Sequence, residues 1–171
     1  MPVIFDRHIV VMGVTGCGKS TVARALSKQL DACYLEGDDF HPLENKKKMS
    51  GGTPLTDDDR WPWLNELAEA MKKAGNQSIT VTSCSALKKS YRDFITQQAE
   101  SNVLFIFLRG ERETLAERLG ARENHFMDAG LLDSQLATLE PPEATENAID
   151  ISIDNPVDHI VTQAMNAIQT S

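Results

Sequence analysis

Residues Gly13 to Ser20 read GVTGCGKS, and the apolar run HIVVM, His8 to Met12, leads directly into them. The spacing fits G-x-x-x-x-G-K-[ST], a loop that joins a strand to a helix and holds phosphate on its backbone. Few short sequences restrict a fold as much. A strand must precede the loop, the chain must turn sharply, and a helix must open near Lys19. Gly13, Gly16 and Gly18 allow the turn and the close approach of the anion, so that successive N–H groups point inward. Val14, Thr15, Cys17 and Thr21 carry further backbone of the same cradle. The helix start adds its positive dipole end. Lys19 can reach the β- and γ-phosphates, and the Ser20 hydroxyl can ligate Mg²⁺. The plainer alternative is a glycine-rich turn before an ordinary helix. The strand before and the helix after favour the phosphate loop.

The rest of the chain alternates in the same way. Strands are expected at His8–Met12, 32–36, 79–83, Val103–Leu108 and 148–153. Between them, Val22, Ala25, Leu26 and Leu30 fall on one helical face, and Leu64, Leu67, Ala68 and Met71 fall on another. Near the end, Asn155 can cap a helix with Pro156 at its first position, followed by an apolar stripe from Val157 to Ile168. This pattern predicts an α/β fold, a five-stranded parallel sheet with helices on both faces. Ligands of such sheets bind beyond the carboxyl ends of the strands. The Gly13 loop, EGDDFHP after strand two and SCSALKK after strand three should therefore surround one crevice.

Composition narrows the partners. A chain of 171 residues is read as one domain. Its net charge of −8, with no basic tract, argues against nucleic acid. No apolar run approaches the roughly 20 residues that span a bilayer. The N-terminal stretch MPVIFDRHIVVMG lacks the features of a secretory signal, so a cytoplasmic location is expected. Cys17, Cys33 and Cys84 form no C-x-x-C pair and suit a reducing compartment.

A phosphate loop alone does not name a reaction. Strand three ends TVTSCSA without a metal-holding acid, so the candidate acids are Asp38 and Asp39 after strand two. An Asp there can accept a proton from an acceptor hydroxyl and help hold Mg²⁺. The competing role is a helix cap. Arg118 and Arg122 share a helix face, where like charges repel by a few tenths of a kcal/mol. A bound anion would relieve that. A solvated helix end explains the same residues equally well. ARENHFMDAG after them has little apolar periodicity and could serve as a lid.

GDDFHPLENKKKMSGGTPLTDDDRWPWL (Gly37–Leu64), CSALKKSYRDFI (Cys84–Ile95) and HFMDAGLLDSQLATLEPP (His125–Pro142) closely resemble gluconokinase, a P-loop sugar-acid kinase related in fold to shikimate kinase and adenylate kinase. The resemblance runs from about Ile9 to Pro156. It implies a single P-loop kinase domain over residues 1–171, with an acceptor-binding segment at about 40–64 and a lid at about 122–130. It further implies that ATP and D-gluconate give ADP and 6-phosphogluconate with Mg²⁺, in a homodimer serving sugar-acid catabolism. Pro156 would flank the adenine, with Arg118 and Arg122 on the nucleotide.

Gluconate needs a cation for its carboxylate and polar groups for its hydroxyls. Arg60, Lys88, Lys89 and Arg92 are the candidate cations, and Arg binds a carboxylate better in two-pronged fashion. The resemblance favours Arg60 and Arg92 over Lys89. It retains Lys48, in the pattern Asn45 to Met49, together with His41 and His125 as hydroxyl contacts. The charge run Lys46–Lys48 otherwise reads as a solvated helix face, and Trp61 and Trp63 as packing in the acceptor wall. Two alternatives stay open: a kinase of this fold for another small acceptor, and a nucleotide-dependent switch with no acceptor.

Overall fold

The computed structural model describes residues 6–120 and 129–169. Five strands form one parallel sheet: β1 (His8–Met12), β2 (Cys33–Glu36), β3 (Thr80–Ser83), β4 (Val103–Arg109) and β5 (Ala148–Ser152), in the order β2-β3-β1-β4-β5. All five expected strands are present, shifted by no more than a residue at either end. The centre of the sheet falls to β1 because every one of its residues is apolar or, at His8, tied to Thr80 through Nδ1 at 2.6 Å. A strand buried on both faces needs such an uninterrupted run.

Helix α1 (Lys19–Leu30) packs with α7 (Val157–Gln169), and α3 (Asp57–Ala74) packs with α4 (Lys89–Ala99), so the two pairs cover the sheet. Buried positions follow the predicted stripes: Val22 and Leu26 on α1, and Leu64, Leu67, Ala68 and Met71 on α3. The stripe on α7 is also present, through Ile160, Val161, Ala164 and Ile168. Its start differs from expectation. The carbonyl of Pro156 accepts from the amide of Ile160, while the Asn155 side chain turns back to the carbonyl of Ser152. Pro156 therefore stands at the cap, and Asn155 closes the preceding turn.

Helix α2 (Leu43–Ser50), α5 (Arg112–Gly120) and α6 (Ala129–Thr138) complete the described elements. The acceptor-binding segment expected at about 40–64 contains α2 and the first two turns of α3. A capping box fixes that second start: the Thr56 hydroxyl accepts from the Asp59 amide at 3.1 Å, and Asp59 accepts from the Thr56 amide at 2.9 Å.

The connection β1-α1-β2 leaves the sheet centre toward one edge, and the chain after β3 crosses to β4 on the other side of β1. The loop Gly13–Gly18 thus sits at the point where strand order reverses, the place where ligands enter sheets of this kind.

Candidate active site

The phosphate loop is bent into shape by left-handed glycines. Gly16 has φ +85° and lies against Leu119, so a Cβ there would be both strained and crowded. Gly18 has φ +92° and stands immediately before α1. Its backbone opens into a cleft of about 360 Å³, a size suited to small molecules. Thr15, Gly16, Gly18, Lys19, Ser20 and Thr21 line this cleft. Val14 and Cys17 are buried beneath the loop, and a Cβ on Gly13 would lie 2.7 Å from the Cys17 sulfur. These three shape the cradle from behind. The Lys19 ammonium arches back to the Val14 carbonyl at 3.1 Å.

Opposite the loop stands Glu36, the last residue of β2, which sequence reading missed. Its carboxylate accepts from Ser20 Oγ at 2.8 Å, from Ser83 Oγ at 2.9 Å and from the Tyr34 hydroxyl. Burial opposes its charge, but the donors Tyr34, Ser20 and Ser83 outweigh that and hold it below the ordinary glutamate range. Register explains the placement: Glu36 pairs with Ser83 across the sheet. The neighbouring strand thus places a carboxylate beside the end of β3, which has none of its own. The sequence signal was available, since the segment singled out as EGDD begins with this residue.

Asp38 follows in a short 3-10 turn, Gly37–Phe40, and lines the cleft. Desolvation by the surrounding walls pushes its carboxyl upward, Lys19 pulls it down, and Glu36 and Asp39 push it up again; the net direction is upward. Its side chain nevertheless keeps 72% of its surface open. Water screens so open a group, and position rather than titration is what marks Asp38. Gly37 sets that position. A Cβ on Gly37 would lie 2.1 Å from the Ser83 carbonyl oxygen, and its own carbonyl accepts from Trp63 Nε1 at 2.8 Å. Gly37→Ala should separate β2 from β3 and lower stability by about 3 kcal/mol, the scale of an overpacked core. Urea unfolding of the variant checks this.

The acceptor side of the cleft carries His41, Met49, Arg60 and Trp63. His41 stacks on Trp63 with centroids 3.9 Å apart. Burial, with help from Lys46 and Arg60, pushes its pKa down to about 4, so the ring is neutral near pH 7. Arg60 is 8% exposed and gives one N–H to the Tyr91 hydroxyl at 2.7 Å. Tyr91 in turn donates to Asp57. Arg60 Nε and Nη2 have no hydrogen-bond partner among the described residues.

The family model described as an AAA domain matches residues 9–142. A relative from Xenopus tropicalis named "Probable gluconokinase" is 46% identical, over 91% of this chain and 90% of its own. The thermoresistant gluconokinase of Escherichia coli (strain K12) is 43% identical, over 96% of this chain and 95% of its own. The crystal structure of a gluconokinase from Sinorhizobium meliloti 1021 superposes with a TM-score of 0.88 at 43% identity, covering 97% of this chain and 93% of that one. The chain belongs to the gluconokinase family. The resemblance read from its three long motifs is thereby borne out, and with it the P-loop kinase fold.

Several cations read as gluconokinase substrate contacts lie elsewhere. Arg92 does not reach the cleft. It is 1% exposed, paired with Glu146 through Nε at 2.7 Å, and bonded to the carbonyls of Ala86, Leu87 and Glu140. A buried guanidinium must satisfy its donors, and this one divides them between the loop after β3, including Leu87 in the cleft wall, and the segment Glu140–Glu146 before β5. Lys48 pairs with Asp59 at 2.7 Å and Lys88 with Asp57 at 3.1 Å, both outside the cleft lining. Lys46 and Lys47 are exposed on α2, as a solvated face requires.

On the nucleotide side, Arg118 donates to the Ile153 carbonyl at 2.8 Å, three residues before the exposed Pro156. Arg118 is thus tied to the turn just beyond β5 that leads to Pro156, although neither residue lines the cleft. Arg122 and His125, and residues 122–128 of the lid expected at about 122–130, lie outside the described residues, while positions 129 and 130 belong to α6. A second group missed by sequence reading is Gln135 on α6. It lines the cleft, and its side-chain oxygen accepts from the Thr15 amide at 2.7 Å.

Proposed function

We propose that this protein transfers the γ-phosphoryl group of ATP to D-gluconate, giving 6-phosphogluconate. The observation that carries the reading is the single cleft in which the phosphate loop, Asp38 and Arg60 meet, in a chain of the gluconokinase family. ATP phosphates lie on the loop from Gly13 to Thr21. Lys19 neutralises charge on the transferred group. Asp38, placed in the cleft beside the phosphate loop, accepts the proton of the C6 hydroxyl. Arg60 receives the carboxylate with its free donors, while His41 contacts a hydroxyl. Arg118 and Arg122, with Pro156, serve the nucleotide, and His125 contacts an acceptor hydroxyl.

Mg²⁺ fits the donors present. It prefers oxygen ligands and keeps several waters, so one or two carboxylates and a hydroxyl suffice. Ser20 would hold it, with its proton given to Glu36, and Asp38 stands across the cleft. When bound, Mg²⁺ would neutralise phosphate charge. Glu36→Gln removes the carboxylate that orients Ser20. It should raise the Mg²⁺ concentration for half-maximal rate by about 10-fold or more, as for other groups behind a metal ligand. A titration of rate against Mg²⁺ measures this.

Arg60→Ala removes a charged donor from the acceptor side only. The KM for gluconate should rise by about 10- to 100-fold, the scale of a hydrogen bond to an ion, with the KM for ATP little changed. Equal rises in both would move Arg60 to the nucleotide side.

The reading extends to a cytoplasmic homodimer, checked by light scattering. Among the described residues, no helix is long and apolar enough to cross a membrane. ADP release measured with gluconate, shikimate, a nucleoside or no acceptor tests the function itself. Release driven by gluconate alone supports it. Release with shikimate or a nucleoside but not gluconate would indicate another kinase of this fold, and acceptor-independent release a nucleotide switch.

A further inference from the structure

Asn45 is 3% exposed and has two amide hydrogens to place. Nδ2 lies 2.9 Å from the Asp59 carbonyl oxygen. That contact fixes which way round the amide stands, because its own oxygen would repel a carbonyl there. The second hydrogen faces His41 Nδ1 at 3.2 Å. An amide nitrogen only donates, so Nδ1 must accept, and the ring proton must sit on Nε2. Trp63 holds the ring plane from one face, at 17° between planes, and is itself anchored by its N–H to the Gly37 carbonyl.

Nε2 is then a fixed donor with nothing to serve. Asp38 Oδ1 is 3.9 Å away, beyond a hydrogen bond. Among the described residues Nε2 has no hydrogen-bond partner, although it belongs to a side chain only 3% exposed. His41 and Asp38 line the same cleft.

We propose that Asn45 is a positioning residue that holds His41 as the Nε2–H tautomer, so that His41 donates to a hydroxyl oxygen of the polyol acceptor beside Asp38. The proposal rests on the acceptor reading above. Its chemical logic is the matching of donors to acceptors. Asp38 accepts a hydroxyl proton, and a polyol placed beside it still offers oxygen lone pairs. A donor at Nε2 takes one of these and stops the polyol from turning. The opposite tautomer would present a second acceptor, which would compete with Asp38 for the same proton. Trp63 and Asn45 carry no charge, so the selection needs no ion in the wall.

Nitrogen NMR of protein labelled in its histidine rings reads the tautomer directly, and His41→Gln assigns the signal by removing it. In ligand-free wild type, Nδ1 of His41 should carry no proton and Nε2 should carry one. Asn45→Asp offers an acceptor in place of the donor, and should place a proton on Nδ1. In kinetics, Asn45→Asp and His41→Ala should raise the gluconate KM about tenfold while the ATP KM stays put, the scale of one hydrogen bond with its partner left unmet. His41→Gln keeps an N–H near the place of Nε2 and should stay within about threefold of wild type. Thermal melting confirms that each variant compared is folded, including the His41→Gln variant that assigns the signal. A proton on Nδ1 in wild type would overturn the proposal. So would a folded His41→Gln no better than His41→Ala toward gluconate. If wild type failed to phosphorylate gluconate while its Nε2 kept the proton, the acceptor reading would fall and the tautomer lock would stand.

Discussion

Lys19→Ala is expected to fold normally and to lose turnover by about 10² or more, as when one preorganised donor to transition-state charge is removed. The fold should be spared because Lys19 is half-buried and its described polar partners belong to the loop itself, the Val14 carbonyl and, at 4.0 Å, the Cys17 sulfur. The loop keeps its shape without it, since the glycine backbone and the packing of Val14 and Cys17 beneath the loop set that shape. What disappears is a mobile positive charge within reach of the β- and γ-phosphates. Phosphoryl transfer offers the protein little covalent work, and positioning and charge stabilisation carry nearly all of its catalysis. Turnover at saturating ATP and gluconate, beside a melting curve, checks both halves. A folded variant with near wild-type turnover would remove the nucleotide role from the loop.

Asp38→Asn should abolish phosphoryl transfer while ATP still binds. Asparagine has the same shape, so the 3-10 turn and the Gly37 contacts with Ser83 and Trp63 persist. It cannot accept the proton of the acceptor hydroxyl, and it is a poor Mg²⁺ ligand. Loss of a general base alone removes about 10²- to 10⁴-fold. The side chain makes no hydrogen bond among the described residues, and His41 Nε2 stands 3.9 Å from it. A cap would show a bond to the backbone amides ahead of it, and no such bond is present. Asp38 is therefore free for an acceptor. Nucleotide affinity by calorimetry and turnover should part company in this variant. Retained activity would pass the role to Asp39 or Glu36.

The parts of this site that were legible in the sequence are those set by local chemistry. HIVVM must be a buried strand, GVTGCGKS must turn, and both do so where expected. The crevice followed from strand alternation alone, and it contains the Gly13 loop, Asp38 and the Ser83–Ser85 segment. The parts that were not legible depend on pairing between distant residues. Glu36 became part of the site only through its register with Ser83, 47 positions away. Gln135 reached the loop from 120 positions away. Arg92 carries the right charge for a carboxylate, yet Glu146, 54 positions on, claims it inside the protein. Lys48 and Lys88 are matched by Asp59 and Asp57 at the start of α3. A cation's type is visible in sequence; whether its charge is already spent depends on the fold.

The destination of the γ-phosphoryl group is the most direct test of the proposed reaction. Protein, ATP, Mg²⁺ and D-gluconate incubated together and followed by phosphorus NMR should yield ADP and one new phosphomonoester, with its phosphorus coupled to the two protons of C6. Coupling to any other carbon, or the appearance of inorganic phosphate with no sugar ester, would contradict it.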